Sequence, residues 1–281
     1  MASRREIFHQ LRDVASELYG EAEGSQIAEM LLMAKGGITR NEFLVEPDNE
    51  VIISDLDNIV QELRAWRPVQ YIIGSASFDD MELEVREGVL IPRPETEELV
   101  EWIASEASAD ARIVDVCTGS GCIALALRRR LSKSRVWGID ISTEALEIAC
   151  SNDQKYASDV EFVEGDALGN FAQIVDCKVD IVVSNPPYIP FSDRAAMRRN
   201  VTDHEPSIAL FVDDDNPLLF YRSIARTAHT MLCDGGRLYF EIYENFAHET
   251  TEMLIAEGYV NIIVREDFRG KQRMICAEKS L

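Results

Sequence analysis

The residues of this chain best suited to chemistry stand at the ends of apolar runs. Val179-Asp180-Ile181-Val182-Val183-Ser184 leads straight into Asn185-Pro186-Pro187-Tyr188. That spacing puts the tetrapeptide where a buried strand opens into a loop, the place where open α/β sheets bind their ligands. A residue before proline is driven to extended geometry, and two consecutive prolines fix their own φ and lack N–H donors. The segment therefore offers acceptors: the Asn185 side-chain oxygen and nearby carbonyls such as that of Pro186. A planar nitrogen with two hydrogens can donate one to each of two acceptors while the flat ring of Tyr188 holds it from one side. Taken alone, the tetrapeptide reads equally as a Pro-Pro turn that closes a strand.

Three acidic residues at preceding strand ends break that tie. Asp115-Val116-Cys117-Thr118-Gly119-Ser120-Gly121 ends one expected strand and opens directly into the apolar helix Cys122-Ile123-Ala124-Leu125-Ala126-Leu127. Small residues at such a crossing let a ligand approach the backbone, and the helix N-terminus supplies free amides. The next strand ends in Asp140, at the separation suited to accepting both ribose hydroxyl hydrogens. The third ends in Gly165-Asp166-Ala167, where a carboxylate and backbone can meet an exocyclic amine of adenine. Any one of these aspartates alone reads as a helix cap or a solvated strand end; three in order point at one nucleoside. The full GxGxxG of nicotinamide sites and the turn lysine of phosphate sites are both missing. Asp115 would repel a pyrophosphate and attract an ammonium group. S-adenosylmethionine, with an amino group and a sulfonium, fits these requirements.

The elements that must position these residues follow from periodicity. Residues 1–75 read as a small helical domain: Ile7, Leu11, Val14 and Leu18 recur at helical spacing, as do Ile27, Met30, Leu31 and Met33. A third amphipathic stretch, about 51–66, places Ile52, Leu56, Ile59, Val60 and Leu63 on one face and stops before Pro68. The helical domain of residues 1–75 is expected to dock the substrate, the alternative being a stability cap on the larger domain. Residues 76–92 read as a β-hairpin linker around Asp79-Asp80 and Glu87-Gly88. In 93–281, after a helix near 95–107 that Glu95 or Thr96 begins, strands are expected near 111–116, 135–139, 160–163, 179–184, 236–242, 259–265 and 272–278. Helices are expected near 121–132, 143–155, 217–232 and 246–257. This alternation predicts a doubly wound, mostly parallel, seven-stranded Rossmann-like sheet. The long connection 185–216 is expected to shape the substrate mouth.

Composition narrows the partners. The chain of 281 residues carries 28 basic and 50 acidic side chains, a formal charge of −22. A phosphate-tracking surface needs clustered Lys and Arg, so DNA is not expected as a partner. No run approaches the ~18 apolar residues of a membrane span, and Met1-Ala2-Ser3-Arg4-Arg5 leads into an amphipathic segment; a cytoplasmic monomer is expected. The six cysteines form no CxxC pair and read as free thiols, mostly buried. The four histidines lack metal-ligand spacing, so no metal is expected. His204, alone in a loop, reads as structural.

The chain resembles the class I methyltransferases of the peptide chain release factor glutamine methyltransferase type. The matching segments are Arg67 to Gly74, Ile91 to Glu97, Asp115 to Gly121, Asp140, Gly165-Asp166, Asn185 to Tyr188, Glu205-Pro206 with Ala209-Leu210, Gly235-Gly236, Glu241-Ile242, and Asp267 with Gly270 and Arg273. The resemblance implies that the loop of Asp115, Cys117, Thr118, Gly119, Ser120 and Gly121 lines the methionine end of the cofactor. It implies that Asp140 takes the ribose, that Asp166 and Ala167 take the adenine side, and that Asn185 lies beside the sulfonium. It also implies an acceptor: the glutamine in the Gly-Gly-Gln loop of release factors. Two positions depart from the pattern. Cys117 stands where glycine is usual, and its Cβ leads to an expected negative φ. Tyr243 stands where glycine commonly follows Glu-Ile. The rival readings are a DNA adenine or cytosine amino-group methyltransferase, which acts on the same planar NH₂, and a cofactor-sensing protein that keeps the fold without the chemistry.

Overall fold

The structure, a computed structural model, describes residues 2–280. They form two compact units: the described residues up to Ser75 together with Met197–His204, and Ala76–Ala196 together with the described residues from Glu205.

In the first unit, helices α1 (Arg4–Tyr19) and α2 (Glu21–Gly36) form an antiparallel pair. A capping box, Ser3 with Glu6, starts α1. A Cβ at Gly24 would lie 2.5 Å from Ser16 Oγ and 2.6 Å from its backbone nitrogen, so glycine is what lets the helices approach. Ile7, Leu11, Val14, Ile27, Leu31 and Leu32 bury against Ile59 and Leu63 of α3 (Leu56–Arg64). The helix expected from about residue 51 thus starts later, because Glu50–Val51 pairs as a short strand with Ala2–Ser3 and leaves Ile52 exposed. Met197–His204 packs within this unit: Arg198 meets Glu23 at 2.7 Å, and His204 Nε2 lies 2.8 Å from the Ala65 carbonyl.

A hairpin, Ser75–Phe78 and Met81–Glu84, leads into the second unit, which it enters at Ala76; its turn residues Asp79 and Asp80 both take positive φ, 48° and 58°. Helix α4 (Pro94–Glu106) follows, with proline in its first turn. Then come β1 (Arg112–Val116), α5 (Cys122–Arg130), β2 (Arg135–Asp140), α6 (Thr143–Tyr156), β3 (Glu161–Glu164), β4 (Val179–Ser184), α7 (Leu219–Met231), β5 (Leu232–Glu241), α8 (Ala247–Ala256), β6 (Tyr259–Glu266) and β7 (Gln272–Lys279). The sheet order is β6-β7-β5-β4-β1-β2-β3, parallel except for β7, which runs antiparallel to both neighbours. This is the doubly wound seven-stranded sheet expected from the sequence.

Strand alternation divides the core. Ile113, Ile181 and Val183 face α4 and α5, whereas Val114, Val116 and Val182 face α7 and α8. Because β1 pairs with both β2 and β4, the strand order reverses beside β1 and opens a crevice at the strand C-termini. β5 begins four residues earlier than expected, with a register shift between Leu232 and Arg237 where Gly235 takes φ 72°.

Candidate active site

The crevice is walled by strand ends. β1 passes into α5 through a turn in which Cys117, Gly119 and Gly121 take φ values of 62°, 55° and 81°. The negative φ expected at Cys117 is therefore wrong. The Thr118 amide donates to the Ile139 carbonyl at 3.0 Å, pinning the turn to β2, and the left-handed region supplies the tight reversal. Holding a side chain with a Cβ there costs about 1–2 kcal/mol. A Cβ at Gly119 would meet nothing within 4 Å, so the backbone there is open to a ligand.

A cleft of about 200 Å³ lies over these ends. Its wall includes Gly88, Val89, Leu90, Cys117, Gly119, Asp140, Ile141, Gly165, Asp166, Ala167, Leu168, Asn185, Pro187 and Ile208. The structure thus brings Cys117, Gly119, Asp140, Asp166, Ala167, Asn185 and Pro187 to one cavity. Asp115, Thr118, Ser120, Gly121, Pro186 and Tyr188 are not part of that wall.

Asp140 Oδ2 accepts the Gly119 amide at 2.8 Å, and Oδ1 accepts the Ser142 amide at 2.9 Å. A carboxylate has about four acceptor sites, so each oxygen keeps capacity for a further donor. Burial raises the Asp140 pKa, against the amides that lower it. Asp166 Oδ1 accepts the Leu168 amide at 2.8 Å. Asp115 is fully buried: Oδ2 accepts the Thr118 hydroxyl at 2.6 Å, and the backbone amide of Ala124 also favours its charged form. Burial above all, with the charge of Asp140 adding to it, pushes this carboxyl up to about 7.

On the other side of the reversal, Ser184 donates to the Val116 carbonyl at 2.5 Å and fixes the end of β4. Asn185 Nδ2 lies 3.4 Å from Thr96 Oγ1, and that hydroxyl donates to Glu241 Oε2 at 2.6 Å. The Tyr188 hydroxyl donates to Glu241 Oε1 at 2.9 Å. Burial drives the Tyr188 pKa well above its ordinary value and raises that of Glu241. Tyr243 stacks on Tyr188 with ring centroids 6.0 Å apart and donates to Asp193 at 2.6 Å. Glu205, buried, takes Arg93 Nη2 at 2.7 Å and the Ile91 amide at 3.1 Å. Sequence reasoning assigned Thr96 only to a helix start and gave Glu241 no role. Yet Glu241 ends the apolar run Leu238-Tyr239-Phe240, the same pattern that singled out Asp115 and Asp140.

Relatives confirm the kind of protein this is. The chain is 36% identical over 274 residues to the release factor glutamine methyltransferase of Bacteroides thetaiotaomicron, covering 96% of this chain and 98% of that one. It is 35% identical over 268 residues to the enzyme of the same name from Flavobacterium psychrophilum, covering 92% and 93%. The chain belongs to the release factor glutamine methyltransferase family. Residues 94–204 also match the methyltransferase small domain. A methyltransferase from Pyrococcus furiosus of known crystal structure shares the fold, with a TM-score of 0.55 at 17% identity over 80% of this chain and 99% of that one. Asp140 at the end of β2, Asp166 after β3, and Asn185 and Pro187 after β4 meet in this one cleft at the C-terminal edge of the sheet. No described helix is long and apolar enough to cross a membrane.

Proposed function

We propose that this protein transfers a methyl group from S-adenosylmethionine to the side-chain amide nitrogen of the Gly-Gly-Gln glutamine of a peptide chain release factor. The observation that carries this reading is the shared cleft, in which Asn185 faces the same space as Asp140 and Asp166.

The residues suit the cofactor. Asp140 has acceptor capacity left for a ribose diol, Asp166 and Ala167 stand where the adenine edge would lie, and Leu90, Ile141 and Leu168 supply apolar flanks. Asp115 is buried behind the open turn, where its charge would attract a cationic amino group lying over that turn. Bound S-adenosylmethionine supplies an electron-poor methyl group on its sulfonium.

A carboxamide nitrogen is a weak nucleophile because its lone pair is delocalised into the carbonyl. Asn185 Oδ1 and the Pro186 carbonyl accept its two hydrogens, fix its direction and favour the positive charge that develops on it. Tyr188, stacked on Tyr243, excludes water from one side. No general base is required if the proton leaves for solvent after transfer. The first unit, including Met197–His204, docks the release factor. The enzyme acts as a cytoplasmic monomer, and a net charge of −22 disfavours DNA as a substrate.

Asn185→Ala is expected to keep cofactor affinity by calorimetry and to lose roughly 100-fold or more in turnover, read by mass spectrometry of the Gly-Gly-Gln peptide. Undiminished turnover in this variant, or tritium from labelled cofactor appearing in DNA and not in release factor, would refute the reading.

A further inference from the structure

We propose that Thr96 and Glu241 are positioning residues that set which way round the Asn185 amide sits, holding its oxygen toward the acceptor nitrogen. The inference rests on the function proposed above and adds two residues to it.

An asparagine amide is nearly symmetrical in shape but opposite in chemistry at its two ends. Only the oxygen can accept a hydrogen from an incoming NH₂; the reversed amide would set donor against donor. Something must choose, and the proton inventory around Glu241 does so. The ionised carboxylate can only accept. It takes the Tyr188 hydroxyl on Oε1 and the Thr96 hydroxyl on Oε2. Thr96 has then spent its one proton, and its oxygen can only accept from Asn185, 3.4 Å away. The end of the amide that turns to Thr96 is therefore Nδ2. The chain of donation runs from Asn185 to Thr96 to Glu241 and leaves Oδ1 facing the cleft. The long first contact is what an unliganded site presents before a substrate tightens it.

Burial is the largest influence on Glu241 and raises its pKa, with Glu95 of α4 adding to it, whereas the Thr96 and Tyr188 hydroxyls and Arg273 of β7 favour the charged form. Both hydroxyls donate to the carboxyl oxygens, which is the arrangement around an ionised acceptor. Protonation would reverse the chain: Glu241 would donate to Thr96, Thr96 to Asn185, and the amide would turn round.

Thr96→Val keeps the shape and removes the hydroxyl. Asn185 Nδ2 then loses its acceptor when oriented productively, and leaving such a donor buried costs enough to lower kcat by roughly 10- to 100-fold. The KM for release factor and the cofactor affinity by calorimetry stay within about twofold, since neither ligand touches Thr96. Thr96→Ser, which restores the hydroxyl, recovers kcat to within about threefold. The second readout needs no turnover. In ¹⁵N spectra of the wild-type protein the Asn185 side-chain amide hydrogens exchange slowly with water, as they do in Thr96→Ser, and quickly in Thr96→Val. Wild-type kcat in Thr96→Val, a proportional loss of cofactor affinity, or a wild-type Asn185 side chain exchanging as fast as a solvated one would overturn the proposal. If no release factor is methylated but the exchange pattern holds, the function fails and the orientation stands.

Discussion

Asp115 gives a pH-dependent prediction whose sign and size follow from its burial. Its carboxyl is pushed from an ordinary 3.8 up to about 7. A carboxyl raised in the folded state binds more protons there than in the unfolded chain, so its contribution to stability falls as pH rises from about 4 to about 7. The full difference is about 4 kcal/mol. A cofactor ammonium over the turn in front of Asp115 would favour the ionised form, so binding releases a proton and affinity rises with pH. With a pKa near 7 the ionised fraction grows roughly fifteen-fold between pH 5.5 and 7, and cofactor affinity should grow by the same factor. Calorimetry in two buffers of different ionisation enthalpy measures both the affinity and the proton released. Asp115→Asn should flatten the dependence. If the variant keeps the wild-type slope, the titrating group is another carboxylate, with Asp140 the first suspect, and the role given to Asp115 is wrong.

Two further substitutions probe the walls of the site. Asp140→Asn exchanges one acceptor for a donor, so a ribose hydroxyl loses its acceptor and the Gly119 or Ser142 amide loses its own. At ~1.5–3 kcal/mol for a charge-assisted bond, cofactor affinity should fall at least ten-fold by calorimetry, and a change under threefold would remove Asp140 from the ribose. Arg93→Ala leaves the buried Glu205 carboxylate with the Ile91 amide alone. A cost of up to ~3–5 kcal/mol should appear as a lower melting temperature and faster hydrogen exchange over 206–210, and unchanged exchange there would show that the pair does not hold that segment.

What the sequence revealed and concealed follows from the range of each interaction. Apolar runs such as those ending at Val116, Ile139 and Ser184 fix strands by local pattern, and each side chain at a run's end inherits its position. Asp140, Asp166 and Asn185 come to one cleft for that reason, whereas Asp115, inside β1, is buried behind it. The Thr96 to Glu241 hydrogen bond joins residues 145 apart, and nothing in the local sequence of either one encodes it. At Cys117 a steric preference of about 1–2 kcal/mol favours negative φ, but the Thr118 to Ile139 bond and the tight entry to α5 outweigh it. The 51–66 stretch failed because Glu50–Val51 found a strand partner at Ala2–Ser3, a long-range pairing that overrode helical periodicity. Likewise, the membership of Met197–His204 in the first unit rests on contacts such as Arg198 with Glu23, 175 residues away in the chain.

The position of Glu241 ties the proposed site to sheet register. Phe240 of β5 stands opposite Ser184 of β4, so Glu241 falls beside Asn185 at the adjoining strand end. On the other flank Glu241 pairs with Met274 of β7, which brings Arg273 to the buried carboxylate. A one-residue slip of β5 would turn Glu241 to the opposite face of the sheet and replace it at that end by Phe240 or Ile242, neither of which can accept a hydrogen bond from its side chain. Asn185 and Tyr188 would lose their common anchor together. The irregularity in β5 lies between Leu232 and Arg237, at the end remote from the site, while the pairing from Arg237 to Glu241 runs unbroken. The chain thus takes up its extra length away from the cleft and keeps strict register where the Glu241 carboxylate holds Tyr188 directly and Asn185 through Thr96.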